Sequence, residues 1–419
     1  MAGYARRDLT DRTRWIFVFL IVLLVVVSVV PWREGILYSG GADPVVVAKA
    51  VVGIVAFCWA FVLHATTRVT GSVGVRTLSL LAGIVLISVV GAFAAGDATA
   101  ALVLSIRIVL IAATVMIVVK SAPPLIVLNA LLAALAAVAI VSAATGAVHG
   151  LSGGRLSGGI PQMASNVLAG LAAPPAIGLA VDIVRRGFRL WTSTMLAAML
   201  AIVVATQSRT TLVVVVIGVV LAFLYGRRIA TSTAIVAIIA APFAYVVLAF
   251  TSIVSQVLAR GQGIQQLTTL SSRTVAWDAV LAIPFDSWGK WLGVGLAAKT
   301  VQVQQQWRNQ QVLDSSWVSV IAQAGIIGTV LLAIWIVFTA VESLRRPDLR
   351  AIATPLLAML LVRGFTESGL VDSSATFLLF LTLSLLLEPG TTFPGRVKTA
   401  SAYQLAVPLP IERREKTLA

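Results

Sequence analysis

The feature that most constrains this chain is a succession of apolar runs, each about as long as a bilayer is thick, separated by short charged connections. A membrane-spanning helix needs about 20 predominantly apolar residues. Runs of that kind fall at 15–31, 46–65, 77–95, 100–119, 124–145, 163–184, 190–206, 210–225, 231–252, 316–340, 351–370 and 372–388. Of the 419 residues 59% are hydrophobic and 11% charged, where a soluble protein carries about a quarter charged residues. A soluble globular enzyme and a disordered chain are both excluded. In lipid the backbone must satisfy its own polar groups, and runs this long do so as helices. The expected fold is all-α: a polytopic integral membrane bundle of about 12 transmembrane helices, with no large folded domain outside it. The first run reads as a span rather than a cleaved signal. It is long, and no small-residue cleavage site follows Pro31-Trp32-Arg33.

The net charge is +15. In a soluble protein that balance would point to nucleic acid; here topology accounts for it, and no nucleic-acid partner is expected. With the N-terminus in the cytosol, 20 of the 31 Lys and Arg residues fall on inner segments, as the positive-inside rule requires. The connections carrying Arg185, Arg186 and Arg189, and Arg227 and Arg228, are the strongest inner markers. The expected organisation is a cytosolic N-terminus at 1–14, a transmembrane bundle at 15–388, and a flexible basic cytosolic tail at 389–419 containing Pro394, Pro408 and Pro410. One connection is unlike the rest. Residues 253–315 form a large outer loop between spans 9 and 10, and loops this long are usually functional. Within it, 271–283 reads as a short helix with Trp277, Val280 and Leu281 on one face, ended by Pro284. Trp288 and Trp291 suit the headgroup level, and 302–311 reads as polar and solvated.

Chemistry has few places to reside. One cysteine, Cys58, and two histidines, His64 and His149, leave no CxxC site and argue against a multi-histidine metal centre; no metal and no cofactor is expected. The outer face is poor in charge, so its arginines can be weighed singly. Arg155 lies in Gly153-Gly154-Arg155-Leu156-Ser157-Gly158-Gly159, Arg209 in Thr206-Gln207-Ser208-Arg209-Thr210, and Arg273 in Ser271-Ser272-Arg273-Thr274. Any one alone would anchor a helix end to headgroups. Together, with glycine and hydroxyl neighbours that let backbone N–H groups approach an anion, they could hold a lipid diphosphate, because the guanidinium fork fits phosphate oxygens. Arg107 and Arg363 lie within spans, where arginine is costly and is a functional hypothesis by default. Acidic candidates on the outer side include Asp314, which as an N-cap would open the tenth span, and Glu367. His149 lies six residues before Arg155.

These residues resemble the O-antigen ligase and polymerase family of bacterial polytopic membrane glycosyltransferases. The resemblance rests on four segments in the same order: Arg155-Leu156-Ser157-Gly158-Gly159 with Asn166; Ser208-Arg209; Ser272-Arg273 with Trp277, Pro284, Gly293 and Gly295; and Asp314 through Ala322-Gln323-Ala324-Gly325-Ile326-Ile327-Gly328. The family pattern usually begins the last segment with His-Asn, where this chain has Asp314-Ser315. The resemblance implies a metal-independent enzyme of cell-surface polysaccharide assembly in the bacterial cytoplasmic membrane, acting at its extracytoplasmic face. A polyprenyl-diphosphate-linked glycan would be the donor, and a hydroxyl on a glycan or envelope acceptor would receive it. Arg155, Arg209 and Arg273 would bind the diphosphate, with Arg107, Arg363 and His149 as possible additions. Asp314, or Glu367, would take the acceptor's proton. Ligase and polymerase both stay open. The rival reading is a multi-span transporter or a flippase for a lipid-linked sugar, but such proteins commonly join two six-span halves through a central inner loop. Here the connection after span six is short and the long loop is outside.

Overall fold

The structure, a computed structural model, describes residues 11–33, 43–67, 70–148, 154–225, 273–305 and 308–394. Eight helices come first: α1 (Asp11–Val29), α2 (Pro44–Thr66), α3 (Arg76–Ala95), α4 (Ala98–Ser121), α5 (Pro124–Val148), α6 (Ser165–Arg186), α7 (Leu190–Ala205) and α8 (Arg209–Tyr225). Two short helices, α9 (Arg273–Leu281) and α10 (Trp288–Leu292), and a hairpin of β1 (Thr300–Gln305) and β2 (Arg308–Val312) follow, then α11 (Ser316–Arg345), α12 (Pro347–Gly364) and α13 (Ala375–Leu387). Among the described residues seven helices, α1–α6 and α11, are long and apolar enough to cross a membrane. The helices α7, α8 and α13 are shorter and apolar. Eleven of the twelve expected runs thus coincide with helices; the ninth, 231–252, and the first part of the outer loop lie outside the described residues. The molecule is a polytopic helical membrane protein.

Sequence explains which helices lie inside. A helix that is apolar all round has no polar face to turn outward. In α13 every residue from Phe377 to Leu387 is buried, and α1, α3, α4, α5, α11 and α12 pack around it. Trp335 of α11 donates from Nε1 to Ser384 Oγ of α13 at 2.6 Å, while Thr77 of α3 lies 2.8 Å from the same hydroxyl. This is the polar bonding expected between helices that gain nothing from the hydrophobic effect in lipid. By contrast α2 exposes Val47, Val51, Ile54, Trp59, Phe61 and Val62, a surface suited only to acyl chains.

The connections sort into two ends. Gly71 N bonds Lys120 O at 2.7 Å, Thr392 N bonds Ser72 O at 2.9 Å, and Arg346 Nη1 bonds Leu386 O at 3.1 Å. All of these were expected on one side. At the other end Leu156 N bonds Ala205 O at 2.9 Å and Gly159 N bonds Ser142 O at 2.9 Å.

Four expectations change. The tenth span is not continuous: α11 breaks at Gly325, with φ 66° and ψ −167°. A break leaves carbonyls without intrahelical partners, and loop backbone takes them. Val294 N donates to Ala322 O at 2.8 Å and Gly295 N to Gln323 O at 3.1 Å. The helix opens at Ser315, not Asp314, and no side chain caps it. The polar stretch 302–311 contains an antiparallel hairpin with Thr300 opposite Val312, so the fold carries one small sheet. The short helix α9 forms as expected, but it seats Ala276 and Val280 against Leu313, Val318 and Ala322, while Leu281 is exposed.

Candidate functional site

The glycine-rich segment after α5 owes its glycines to packing. A β-carbon at Gly158 would lie 2.2 Å from Ser142 Oγ, and one at Gly159 would lie 2.5 Å from Thr145 C. Its backbone donors are also engaged: Leu156 N with Ala205 O, Gly158 N with Met163 O, and Gly159 N with Ser142 O. These three amides are not an anion nest, which corrects that part of the sequence reading. The segment instead fixes the base of Arg155. From there the guanidinium reaches across the bundle end, donating from Nε to Thr206 O at 3.1 Å and from Nη2 to Asn166 Oδ1 at 2.9 Å. Burial pushes Arg155 below the usual arginine range, and the nearby Glu367 carboxylate pulls it back up. A guanidinium keeps its proton under such a shift.

The tight turn between α7 and α8 presents the second arginine. Gln207 takes a left-handed backbone, φ 50°, and ties back through Nε2 to Gly154 O at 2.9 Å. Two residues later Arg209 opens α8. Its Nε and Nη2 are buried without a protein hydrogen-bond partner. Ser208 and Thr211 pair their hydroxyls beside it at 2.9 Å.

Arg363 completes the group from α12. It is 5% exposed and donates from Nη2 to the main-chain oxygen of Asn166 at 2.7 Å. Its Nε and Nη1 are buried without a protein partner. The guanidinium lies against Gly170, one helical turn beyond Asn166 on α6. Asn166 therefore holds two arginines, Arg155 by its side chain and Arg363 by its carbonyl. Buried polar groups are nearly always paired, and charged donors are costly to leave alone. Four such nitrogens on two arginines lie at one end of the bundle, an array of donors that can accept an anion.

The segments that carry the acidic candidates meet at this end of the bundle. Ser316 Oγ donates to Glu367 O at 2.8 Å and Ser315 Oγ to Gly364 O at 3.4 Å, so the start of α11 is sewn to the end of α12. Asp314 stands immediately before that seam. Arg273 begins α9, which packs on the hairpin and on the first turns of α11; its side chain lies outside the described residues, as does His149. Arg107 is elsewhere, bonded through Nη2 to Ser28 O at 3.1 Å. Thr206, Ser316 and Gly170 escaped sequence reading. Gly170 alone had a signal, its four-residue spacing from Asn166. Among the described residues no three His, Cys, Asp or Glu side chains gather as a metal-binding group.

Fold and site together define a multi-pass helical membrane protein with a guanidinium-rich site at one end of its bundle. The O-antigen ligase family model matches residues 194–333, from α7 into α11. The match supports membership of the O-antigen ligase family and, with it, a membrane enzyme of polysaccharide assembly in general. It takes in Arg209, Arg273 and Asp314, and leaves Arg155, Arg363 and Glu367 outside. A search among curated proteins finds no match.

Proposed function

We propose that the chain transfers a glycan from a polyprenyl-diphosphate donor to an acceptor hydroxyl at the outer face of the bacterial cytoplasmic membrane, without a metal. In this reading 12 spans fill 15–388, both termini are cytosolic, and 253–315 is a large outer loop between spans 9 and 10. The observation that carries the proposal is the pair of arginines, half-buried Arg209 and buried Arg363, each with two buried guanidinium nitrogens that lack a protein partner, beside the Arg155–Asn166 bond. The acceptor oxygen forms a bond to the anomeric carbon as the bond from that carbon to the diphosphate oxygen breaks. The diphosphate leaves with the electron pair, and its charge grows in the transition state. Preorganised donors stabilise charge of that kind, and Arg155, Arg209, Arg363 and Arg273 supply them. The acceptor's proton passes to Asp314, which stands where the family pattern has histidine, with Glu367 as the second choice. Glu367 lies close to Arg155, so it balances charge there more readily than it accepts a proton.

The test is glycan transfer in liposomes by purified protein, with a host polyprenyl-diphosphate oligosaccharide, host envelope acceptors and EDTA. Wild type is expected to transfer. Arg209→Ala is expected to lose about 100-fold or more, since one lost oxyanion donor costs about 2.7–4 kcal/mol of barrier. Asp314→Asn is expected to fall steeply. Full activity in Arg209→Ala would sink the clamp. Donor passage across the bilayer without transfer would favour the flippase.

A further inference from the structure

At the end of the bundle opposite the arginine site, a cavity of about 830 Å³ opens between α1, the α4–α5 connection, the last turn of α6, the corner between α11 and α12, and the segment after α13. Its size falls within the range of about 300–1,000 Å³ usual for small-ligand sites. Four arginines line it, Arg14, Arg185, Arg345 and Arg346, against two carboxylates, Asp11 and Asp348. The positive-inside rule accounts for arginines at this end, but not for how one of them is held. A charge that only marks topology can stay in water. Arg14 does not: it is half-buried, and its Nε is buried without a hydrogen-bond partner. Asp11 lies one turn before it and forms no salt bridge with it, and among the described residues neither Arg14 nor Arg185 makes an ion pair. Arg345 faces Glu342 at 3.5 Å. Arg346 donates to the main-chain oxygens of Leu386 and Glu388, neutral acceptors that hold its guanidinium at this corner. Two helices also begin here, α5 at Pro124 and α12 at Pro347, and a helix start carries the positive end of its dipole. The rest of the lining is largely apolar, with Leu125, Leu349 and Phe393 beside four prolines.

We infer that this cavity binds the phosphate group of an anionic membrane phospholipid, with Arg14 as its central donor and Arg185 beside it. A guanidinium with an open Nε offers phosphate oxygens a charge-assisted hydrogen bond, and a buried polar atom without a partner is the kind of group a ligand completes. Two observations favour a lipid over a soluble phosphate. The cavity lies among helix ends, at the level of the headgroups, and its apolar lining suits the glycerol and first acyl carbons. Basic pockets between helices at the cytosolic face are a form that headgroup sites take, and in the orientation proposed above this is the inner leaflet. A phosphate held by Arg14, Arg185 and the α11–α12 corner would tie α1 and α6 to α12. The inference is independent of the transfer reading, because it invokes neither the glycan donor nor the acceptor.

The experiment is native mass spectrometry of the purified full-length protein, stripped of lipid and titrated with phosphatidylglycerol, with phosphatidylcholine as the neutral control and inorganic phosphate as the soluble one. Wild type is expected to hold one phosphatidylglycerol more tightly than phosphatidylcholine. Arg14→Gln should weaken that lipid about tenfold or more, the scale of one hydrogen bond to a charged group. Arg185→Gln should weaken it by a smaller factor, since Arg185 is exposed. Arg209→Gln, at the far end of the bundle, should leave it unchanged. Melting in detergent separates lost binding from lost folding. Arg14 Nε gives up no protein bond, so without lipid Arg14→Gln should melt close to wild type, while added phosphatidylglycerol should raise the melting point of wild type more than that of the variant. Equal retention of phosphatidylglycerol by wild type and Arg14→Gln would overturn the inference, as would phosphatidylcholine held just as tightly. Stabilisation by inorganic phosphate that is lost in Arg14→Gln, with none from the lipid, would overturn the lipid as the occupant. An Arg14→Gln variant that melts far below wild type without lipid would make Arg14 a structural residue and overturn the site.

Discussion

At Gly170 the packing leaves room for a guanidinium and nothing more: a β-carbon there would lie 1.8 Å from Arg363 Nη1. The clashing atom is the end of a flexible side chain, so Gly170→Ala should displace Arg363 and spare the helix. A shift that costs about 1.4 kcal/mol of barrier slows turnover about tenfold. Gly170→Ala is therefore expected to melt close to wild type in detergent while transferring at least tenfold more slowly; equal losses of stability and activity would count against Arg363 as part of the site. Much of this site could be seen in the sequence. Arg155 and Arg209 stood out because positive charge is unexpected on that face, and Arg363 because it lay within a span. The role of Asn166 could not be seen, because half of it is a main-chain oxygen and any residue type has one. Glycines beside Arg155 suggest anion-binding backbone, but the amides of Gly158 and Gly159 bond Met163 O and Ser142 O and that of Leu156 bonds Ala205 O, a difference that the packing of α5 and α7 against the segment decides.

Among the elements, α11 departs furthest from its sequence pattern. Both halves are apolar, and apolar pattern carries no mark of a break. The mark is Gly325, whose φ and ψ lie in a region that only glycine occupies readily. A β-carbon there would also meet Trp291 O at 2.1 Å, an atom of backbone that cannot swing aside. Gly325→Ala should therefore lower unfolding stability by about 3 kcal/mol or more, adding a clash to the roughly 1–3 kcal/mol of the backbone conformation. Gly289→Ala is the control. Its β-carbon would make ordinary contact with Val294 at 3.6 Å, and its melting point in detergent should stay near that of wild type. The hairpin, by contrast, did leave a trace. Val301-Gln302-Val303-Gln304 alternates with the period of a strand, and Val303 is buried. Glutamine-rich composition concealed the pattern, because a run of amides reads as solvated loop.

For the whole molecule, helix order and alternation of ends came directly from the length of the apolar runs, because lipid permits little else. Orientation rests on charge: the connections that carry Arg185, Arg186 and Arg189, and the basic segments after α11, fall at one end, and the arginine site at the other. If the enriched end is cytosolic, Asp97 in the α3–α4 connection and Arg189 before α7 must lie on opposite sides of the membrane. Both side chains are exposed, and neither makes a capping hydrogen bond, so cysteine should be tolerated at each. The sole native cysteine, Cys58, is exposed midway along α2, where it faces acyl chains, and Cys58→Ser gives a clean background. In intact cells whose outer barrier has been opened, a membrane-impermeant maleimide should label Asp97→Cys and not Arg189→Cys; after the inner membrane is lysed, both should react. Labelling of Arg189→Cys alone before lysis would invert the molecule and move the arginine site to the cytosolic face, where a donor of the proposed kind would have to act before export. Labelling of both before lysis would break the alternation itself, since α4, α5 and α6 take the chain across three times between the two positions.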